Sequence, residues 1–587
     1  MGWLSSTAKK MPGRFVPFLA WLGELKNPAT LKADVIAGIT VALVLIPQSM
    51  AYAQLAGLPA FYGLYAAFLP PIVASLFGSS RQLATGPVAV VSLLTAASLE
   101  PLAVAGTEGF VAYAIVLAIL VGLFQLALGL LRLGVIVDLL SHPVVVGFTN
   151  AGALIIATSQ LGKLFGVSVE RAEQHYETVY NTILAAMTQT HMPTLWIGIL
   201  AILIMMAMRR YLPMWPNVLV AVVVTTLLAW YTDFHQLGGA VVGTVPQGLP
   251  ELVLPHFDWG VITSLAMSAV VISLIGFMEA MAIAKAMAAR TRQRLDTNQE
   301  LVGQGLSNIV SGLSSGYPVS GSFSRSAVNI NAGAITGFAS IVTGLVVGLT
   351  LLLLTPLLFH LPQATLAAVI IMAVINLIKI EPVIHAWKAQ PHDAVVSVIT
   401  FALTLYLAPH LEWGILIGMI LSMGLFIVRS MRPRVAELSR FSDNTMRDIQ
   451  VHPLPTSPKI ALMRFDGSLY FANASYFEDK VLELVACRPE LRFIIVDAEG
   501  INQVDATGEE MLRNLIERLR KNGIELVFAR MKKQFMDVMR RTHLIDIAGE
   551  ERFFSRIQYS LDYVWDQLGP DYDRTQCPLR PVSEEGR

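Results

Sequence analysis

Charge is what this chain has least of. Only 14% of its 587 residues are Asp, Glu, Lys or Arg, where a soluble globular chain carries about 25%. The charges balance to a formal net value of +0, so no global basic field directs the chain to nucleic acid. Cysteine is nearly absent: Cys487 and Cys577 are the two in the sequence. They exclude a disulfide framework and leave no CxxC pair for a metal. Neither GxxxxGK[ST] nor GxGxxG occurs, so no phosphate- or dinucleotide-binding loop is expected, and no cofactor. The opening "MGWLSSTAKKMPGR" runs into a short amphipathic stretch without a small-residue cleavage site, so no secretory signal is read there. No nucleophile–base–acid constellation appears on any loop, which argues against an enzyme.

Apolar residues fill the space that charge leaves. They make up 54% of the chain, mean hydropathy is +0.59, and they come in long repeated runs. This pattern is that of a polytopic membrane protein. Residues 34–427 are charge-poor, while 429–587 have ordinary soluble composition. The expected organisation is a cytoplasmic N-terminal segment at 1–31, a transmembrane domain at 32–432, a linker at 433–458, a soluble domain at 459–569 and a tail at 570–587. Pro433, Pro453, Pro455 and Pro458 mark the linker.

Helices that span a bilayer need about 20 mostly apolar residues. Spans are expected near 33–55, 58–78, 110–132, 137–160, 194–209, 213–231, 260–289, 298–314, 337–357, 363–380, 393–409 and 412–430. Two shorter apolar pieces, 87–99 and 323–335, follow Gly/Pro/Ser-rich breaks and are too short to cross as regular helices. Counting both gives fourteen segments. With the N-terminus inside, Arg81, Arg132, Arg209, Arg290, Arg294 and Lys388 are among a dozen basic residues on inner loops, while outer loops hold Lys163 and Arg171. That asymmetry fixes the orientation and puts the soluble domain in the cytoplasm.

The short pieces come third in each set of seven. Interrupted segments at matching places in two halves point to a transporter site. Seven is odd, so the second half is inverted, and the two breaks approach the midplane from opposite faces. In "RQLATGPVAVVSLL", Pro87 suits a first helical turn, leaving the amides of Val88, Ala89 and Val90 free. In "SGYPVSGSFSRSAVN", Ser320 or Ser322 can cap a helix starting near Phe323. Arg325 then sits in its first turn, where the helix dipole disfavours a cation. Two helix N-termini and a guanidinium make an anion site. The alternative is an arginine bonded to carbonyls or to an acid on another segment. Glu279, inside "LIGFMEAMAIAKAM", is a carboxyl suited to carrying a proton beside that anion, or else a fixed ion pair with Arg325 or Lys285. Pro47 and Gln48 interrupt the first span, where Gln48 can donate to an anion. Tyr52, one turn on, either joins the site or makes a packing contact.

At these residues the chain resembles the SulP anion transporter family, also called solute carrier family 26. The matching stretches are "DVIAGITVALVLIPQSMAYAQLAGLPAFYGLYAAF", "FGSSRQLATGPVAVVSLL", "LDTNQELVGQGLSNIVSGL" and "SGSFSRSAVN". The resemblance implies a seven-plus-seven inverted repeat, a core domain moving against a gate domain like an elevator, and a homodimer. It places substrate contacts on Gln48, Tyr52, Val88, Ala89, Phe323, Ser324 and Arg325. Glu279, with Ile283 one turn on, departs from sodium-coupled bicarbonate members, which have aspartate and threonine there. "EAMAIAKAMA" looks more like the proton-linked sulfate members.

After the linker the periodicity changes. "KIALMRFDGSLYF", "RFIIVDAEG" and "IELVFARM" read as strands, and "ASYFEDKVLELVA" and "DATGEEMLRNLIERLRKNG" as helices, with two more at 533–544 and 555–568. This α/β alternation resembles a STAS domain. Related regulators carry a phosphorylatable Ser or Thr directly after the aspartate of "DATG"; here Ala506 stands there, and Asp505 reads as a helix cap. The expectation is secondary active transport of an inorganic anion, sulfate foremost, with protons as the coupled ion, in the plasma (inner) membrane. Its partners are the lipid bilayer, a second copy, and for the STAS domain a cytoplasmic protein or nucleotide. The alternatives are a bicarbonate or C4-dicarboxylate transporter, an uncoupled exchanger or channel, and a sensor signalling through the STAS domain.

Overall fold

The computed structural model describes residues 17–581 apart from 136–139, 171, 173, 213–214, 256–257 and 376. The expected span starts at 137 and 213, Arg171 and most of the N-terminal segment therefore lie outside the described residues. The chain divides into two units between Ser422 and Met423.

The first unit holds thirteen apolar helical segments and the start of a fourteenth. They are α1 (Pro28–Leu55), α2 (Phe61–Phe77), α3 (Ala89–Leu99), α4 (Glu108–Leu130), α5 (His142–Ser159), α6 (Met192–Tyr211), α7 (Asn217–Tyr231), α8 (Trp259–Thr291), α9 (Thr297–Leu313), α10 (Phe323–Asn331), α11 (Phe338–Leu353), α12 (Gln363–Ile375), α13 (Pro391–Tyr406) and α14 (Leu411–Met431). Local signals set several starts. Asn27 accepts a bond from Ala29 N ahead of Pro28, Thr107 accepts from Phe110 N, and Asp296 accepts from Asn298 N and Gln299 N. Each satisfies amides that a first helical turn leaves open. Short helices at Leu161–Phe165, His175–Gln189 and Glu381–Ala389 escape the hydropathy pattern, because half-exposed helices there carry polar residues among the apolar ones.

The third segment of each set of seven is short. α3 has 11 residues and α10 has 9. At about 1.5 Å per residue each covers roughly half of a ~30 Å hydrocarbon core. The strands β1 (Ala84–Gly86) and β2 (Ser320–Ser322) lead into them. These pair antiparallel, Ala84 with Ser322, Thr85 with Gly321 and Gly86 with Ser320. The pairing gives backbone groups at membrane depth the partners that lipid cannot supply.

The segments pack as two groups, α1–α4 with α8–α11, and α5–α7 with α12–α13. α14 is tied to the latter group by a Ser422 Oγ–Ser141 Oγ hydrogen bond of 2.7 Å. α1 and α3 meet the second group along α5, α7 and α12. One correction concerns α1. Pro47 does not interrupt it; the helix runs unbroken from Pro28 to Leu55. One missing N–H is tolerated where both sides of a helix are packed and its apolar surface is buried.

α9 lies close against α2 and α4. A Cβ on Gly303 would sit 2.5 Å from Gly78 Cα, a backbone atom. Gly303→Ala is therefore expected to destabilise the protein by about 1–3 kcal/mol. This is read as a lowered apparent Tm of the detergent-purified full chain; an unchanged Tm would show that α2 and α9 separate freely.

The second unit is a six-stranded sheet, β3 (Arg434–Arg440), β4 (Met446–Asp448), β5 (Ile460–Asp466), β6 (Phe493–Asp497), β7 (Glu525–Ala529) and β8 (Phe553–Phe554), in the order β4-β3-β5-β6-β7-β8. β5 to β8 are parallel, and β3 and β4 close one edge antiparallel. Helices α15 (Ala474–Cys487), α16 (Ala506–Lys521), α17 (Lys533–Arg541) and α18 (Leu544–Ala548) share one apolar core with the sheet, and α19 (Ile557–Leu568) shares the other. Two stretches differ from expectation. Residues read as linker supply β3 and β4, and Cys577 and Leu579 of the expected tail enter the α19 core. Proline spacing hid the first, and two apolar residues in a polar tail hid the second.

Asp505 caps α16 by accepting from Gly508 N at 2.8 Å, and its other oxygen accepts from Phe471 N at 2.8 Å. Losing both partners costs about 1–2 kcal/mol. Asp505→Ala is expected to speed amide exchange at Phe471 and Gly508 about five- to thirtyfold in the full chain, measured by hydrogen–deuterium exchange. Unchanged protection would assign the stability of this turn elsewhere.

Candidate functional site

β1 and β2 aim two helix starts into one region. Val88 is the N-cap residue of α3, with φ −138° and ψ 152°, and Ser322 that of α10, with φ −116° and ψ 125°. Neither helix has a side-chain cap. Ser92 N donates to Val88 O, so the amides of Ala89, Val90 and Val91 precede the first intrahelical bond of α3. Pro87 thus stands before the N-cap and not in the first turn, which moves the open amides one residue along. The capping role expected of the serines is not taken up. Ser320 Oγ donates to Gly276 O at 2.6 Å, and Ser322 Oγ pairs with Ser324 Oγ at 3.3 Å.

Arg325 is 0% exposed. Its Nε, Nη1 and Nη2 make no hydrogen bond among the described residues. Among the described residues, therefore, the carbonyl-bonded alternative is not found, and no acid pairs with this guanidinium. Its electrostatic neighbours are Tyr52 of α1 and Tyr317 ahead of β2. Gly86 lies beneath it: φ is 154°, and a Cβ there would be 3.4 Å from Nη2. A Cβ there would make only ordinary contact with the guanidinium, but the backbone φ is one that L side chains rarely adopt, which favours glycine at this point.

Of the residues expected here, Gln48, Tyr52, Val88, Ala89 and Arg325 are all buried. Gln48 shares a face of α1 with Tyr52, one turn away, and its Oε1 has no partner among the described residues. Phe323 is 57% exposed and Ser324 is exposed, and they open the first turn of α10 directly ahead of Arg325. Glu279 is partly buried and makes no hydrogen bond or ion pair among the described residues. Neither Arg325 nor Lys285 is its partner. Its helix nevertheless backs β2, since Gly276 O accepts from Ser320 and Ala280 packs on Gly321.

Sequence reasoning missed Tyr317, Ser92 and Gly86. Tyr317 is fully buried, and its hydroxyl lies 3.3 Å from Ser92 Oγ, one turn into α3. The signal was present: an aromatic hydroxyl beside the break in "SGYPVSGS", and a glycine before Pro87. Two cavities among the described residues lie away from these side chains, and none of them lines either. One of about 790 Å³ opens among Ser79, Ser80, Arg81, Arg292 and Gln293 at the approach to β1. Another of about 300 Å³ lies at the C-terminal turns of α1 and α3, against Thr158 and Lys163.

Comparison with known proteins fits this architecture. The profile of the sulfate permease family matches residues 31–400, and that of the STAS domain matches 453–559. The chain belongs to the sulfate permease family. It is a multi-pass membrane anion transporter with a STAS domain, not an enzyme. This permease is 35% identical to "Sulfate transporter 4.1, chloroplastic" of Arabidopsis thaliana, over 93% of this chain and 83% of that one. It is 34% identical to "Probable sulfate transporter MT1781" of Mycobacterium tuberculosis (strain CDC 1551 / Oshkosh), over 89% and 93%. The fold is that of SLC26A9, with a TM-score of 0.89 at 22% identity over 96% of this chain and 95% of that one. The transmembrane domain of a cyanobacterium bicarbonate transporter, BicA, superposes with a TM-score of 0.56 at 25% identity, over 67% of this chain and 98% of that one.

Proposed function

We propose that this permease moves sulfate together with protons across the plasma (inner) membrane. The anion binds between the N-termini of α3 and α10. The carrying observation is the guanidinium of Arg325, fully buried in a first helical turn with no hydrogen-bond partner among the described residues. A buried charge is costly unless paired, and a dianion is the partner that two helix N-termini also favour. Gln48 and Tyr52 complete the shell from α1, and Val88, Ala89, Phe323 and Ser324 from the two half-helices. Relatives named as sulfate transporters support sulfate as the anion.

Glu279 carries the proton. It is a lone carboxyl on the helix that backs β2, and no cation neutralises it among the described residues. Protonation removes a negative charge as the anion enters, so the two load together. The group α1–α4 with α8–α11 then moves as one body against α5–α7 and α12–α14. The protein works as a homodimer with both termini in the cytoplasm, and the STAS domain takes a cytoplasmic protein or nucleotide. Likeness to the BicA transmembrane domain keeps bicarbonate as the second reading.

Reconstitution into proteoliposomes tests this. An inward proton gradient is expected to drive labelled sulfate above its outside concentration, and excess bicarbonate to compete weakly. Uptake that never passes equilibrium overturns symport. Bicarbonate uptake that outruns sulfate overturns the choice of anion.

A further inference from the structure

α9 carries a polar row that the reading above does not use. Glu300, Gln304, Asn308 and Ser311 are spaced four, four and three residues apart, which places them on one helix face, and all are buried. Each reaches a different part of the chain leading into β1 or β2. Glu300 Oε2 accepts from Ser79 N and Ser80 N at 2.8 Å each and from Ser79 Oγ at 3.1 Å. Its Oε1 accepts from Gln304 Nε2 at 3.3 Å. Gln304 Nε2 also donates to Thr85 Oγ1 at 2.9 Å, and Thr85 is the middle residue of β1. Asn308 Oδ1 accepts from Val319 N at 2.8 Å, and its Nδ2 donates to Val319 O at 3.1 Å. Ser311 Oγ donates to Tyr317 O at 2.7 Å.

A continuous membrane helix satisfies its own backbone; a broken one depends on neighbours for the residues at the break. Here one helix serves both breaks. A general brace would also bond to α3 and α10 themselves. Apart from Asn308 Nδ2, which also donates to Gln125 Oε1 of α4 at 3.1 Å, the contacts to other segments fall on the approaches to the two strands and on β1, the places that fix where each half-helix begins.

We propose that this face of α9 is the positioning element that sets the register of β1 against β2, and with it the gap between the two helix N-termini. Gln304 and Thr85 are its contact with β1 and are positioning residues for anion selection. The inference rests on the anion site proposed between those N-termini. A displacement of about 1 Å in such a site costs on the order of a hundredfold, so a loosened register changes which tetrahedral dianion fits.

A double-mutant cycle in proteoliposomes tests it, with sulfate and the larger molybdate as substrates. Thr85→Val removes only the hydroxyl at constant size. It is expected to raise sulfate KM about tenfold, hold Vmax within twofold and shift the sulfate-to-molybdate KM ratio. Gln304→Leu is expected to do the same, and the double variant no more than Gln304→Leu alone, since residues acting through one contact are not additive. Thr85→Ser keeps the hydroxyl and is expected to restore the KM ratio. Multiplying effects, or a lowered Vmax and Tm with unchanged KM, would reduce the row to a brace and overturn the proposal. Arg325→Ala run in parallel separates the two levels. If it keeps sulfate affinity, the site itself is misplaced; if it loses affinity while Thr85→Val keeps the wild-type KM, the positioning role alone fails.

Discussion

Arg325→Ala is expected to lower sulfate uptake at subsaturating sulfate by at least a hundredfold. Hydrogen bonds to a charged group contribute about 1.5–3 kcal/mol each. A guanidinium fork makes two to an oxyanion, and each 1.4 kcal/mol is about tenfold; two lost bonds thus give roughly 10²–10⁴. Arg325→Lys keeps the charge and loses the fork, so an intermediate loss is expected. Stability gives a second readout. The guanidinium has no protein partner among the described residues, so Arg325→Met, which fills similar volume, strands no acceptor. The apparent Tm of Arg325→Met is expected to equal or exceed that of the wild type without sulfate. What it loses is the rise in Tm that sulfate gives the wild type through binding the folded state. A fall in Tm without sulfate, with the sulfate-induced rise retained, would make Arg325 a structural residue.

Glu279→Gln is expected to abolish accumulation while leaving downhill flux. With the membrane potential clamped, one coupled proton and a gradient of one pH unit hold an anion at about a tenfold ratio, the equivalent of about 1.4 kcal/mol. The variant is expected to stop at a ratio near one, and its uptake to lose its dependence on pH. Glutamine keeps the shape and cannot exchange a proton. Because Glu279 forms no ion pair with Arg325 or Lys285 among the described residues, the substitution leaves no cation stranded and the fold intact. Unchanged pH dependence in Glu279→Gln would remove the proton role and leave an exchanger or channel as the better reading. Wild-type pH dependence is the internal control, measured on the same vesicles.

Much of the membrane unit was legible in advance because its signals are local. The hydropathy of a run such as 110–132 depends only on its own residues, and it became α4 within a few positions. Both breaks were found for the same reason. They are short apolar pieces after Gly, Pro and Ser, and no long-range fact is needed to see that 11 and 9 residues fall short of a bilayer. Pro47 was misread because a local rule, that proline breaks helices, yielded to packing on both sides of α1. Ser320 was misread as a cap because its hydroxyl turns to Gly276 on α8, more than forty residues away in the chain.

The site divides along the same line. That an arginine sits in a first helical turn, and that glycines and hydroxyls surround it, is written in "SGSFSRSAVN". That its guanidinium lacks a partner, lies over Gly86 and faces Tyr52 and Tyr317 depends on β1 meeting β2 across more than two hundred residues. Glu279 shows the limit most plainly. The sequence left a fixed ion pair open beside a free carboxyl, and only the folded arrangement of α8 against β2 left the carboxyl unpaired among the described residues. By itself, then, the sequence determined the class, the segments, the two breaks and the family resemblance, since each rests on runs of neighbouring residues. The tertiary structure alone decided the register of the crossing strands, the polar row of α9 that meets their approaches and the lack of a counter-ion to Arg325 among the described residues. These are contacts between distant segments, and no local pattern encodes which distant groups will meet.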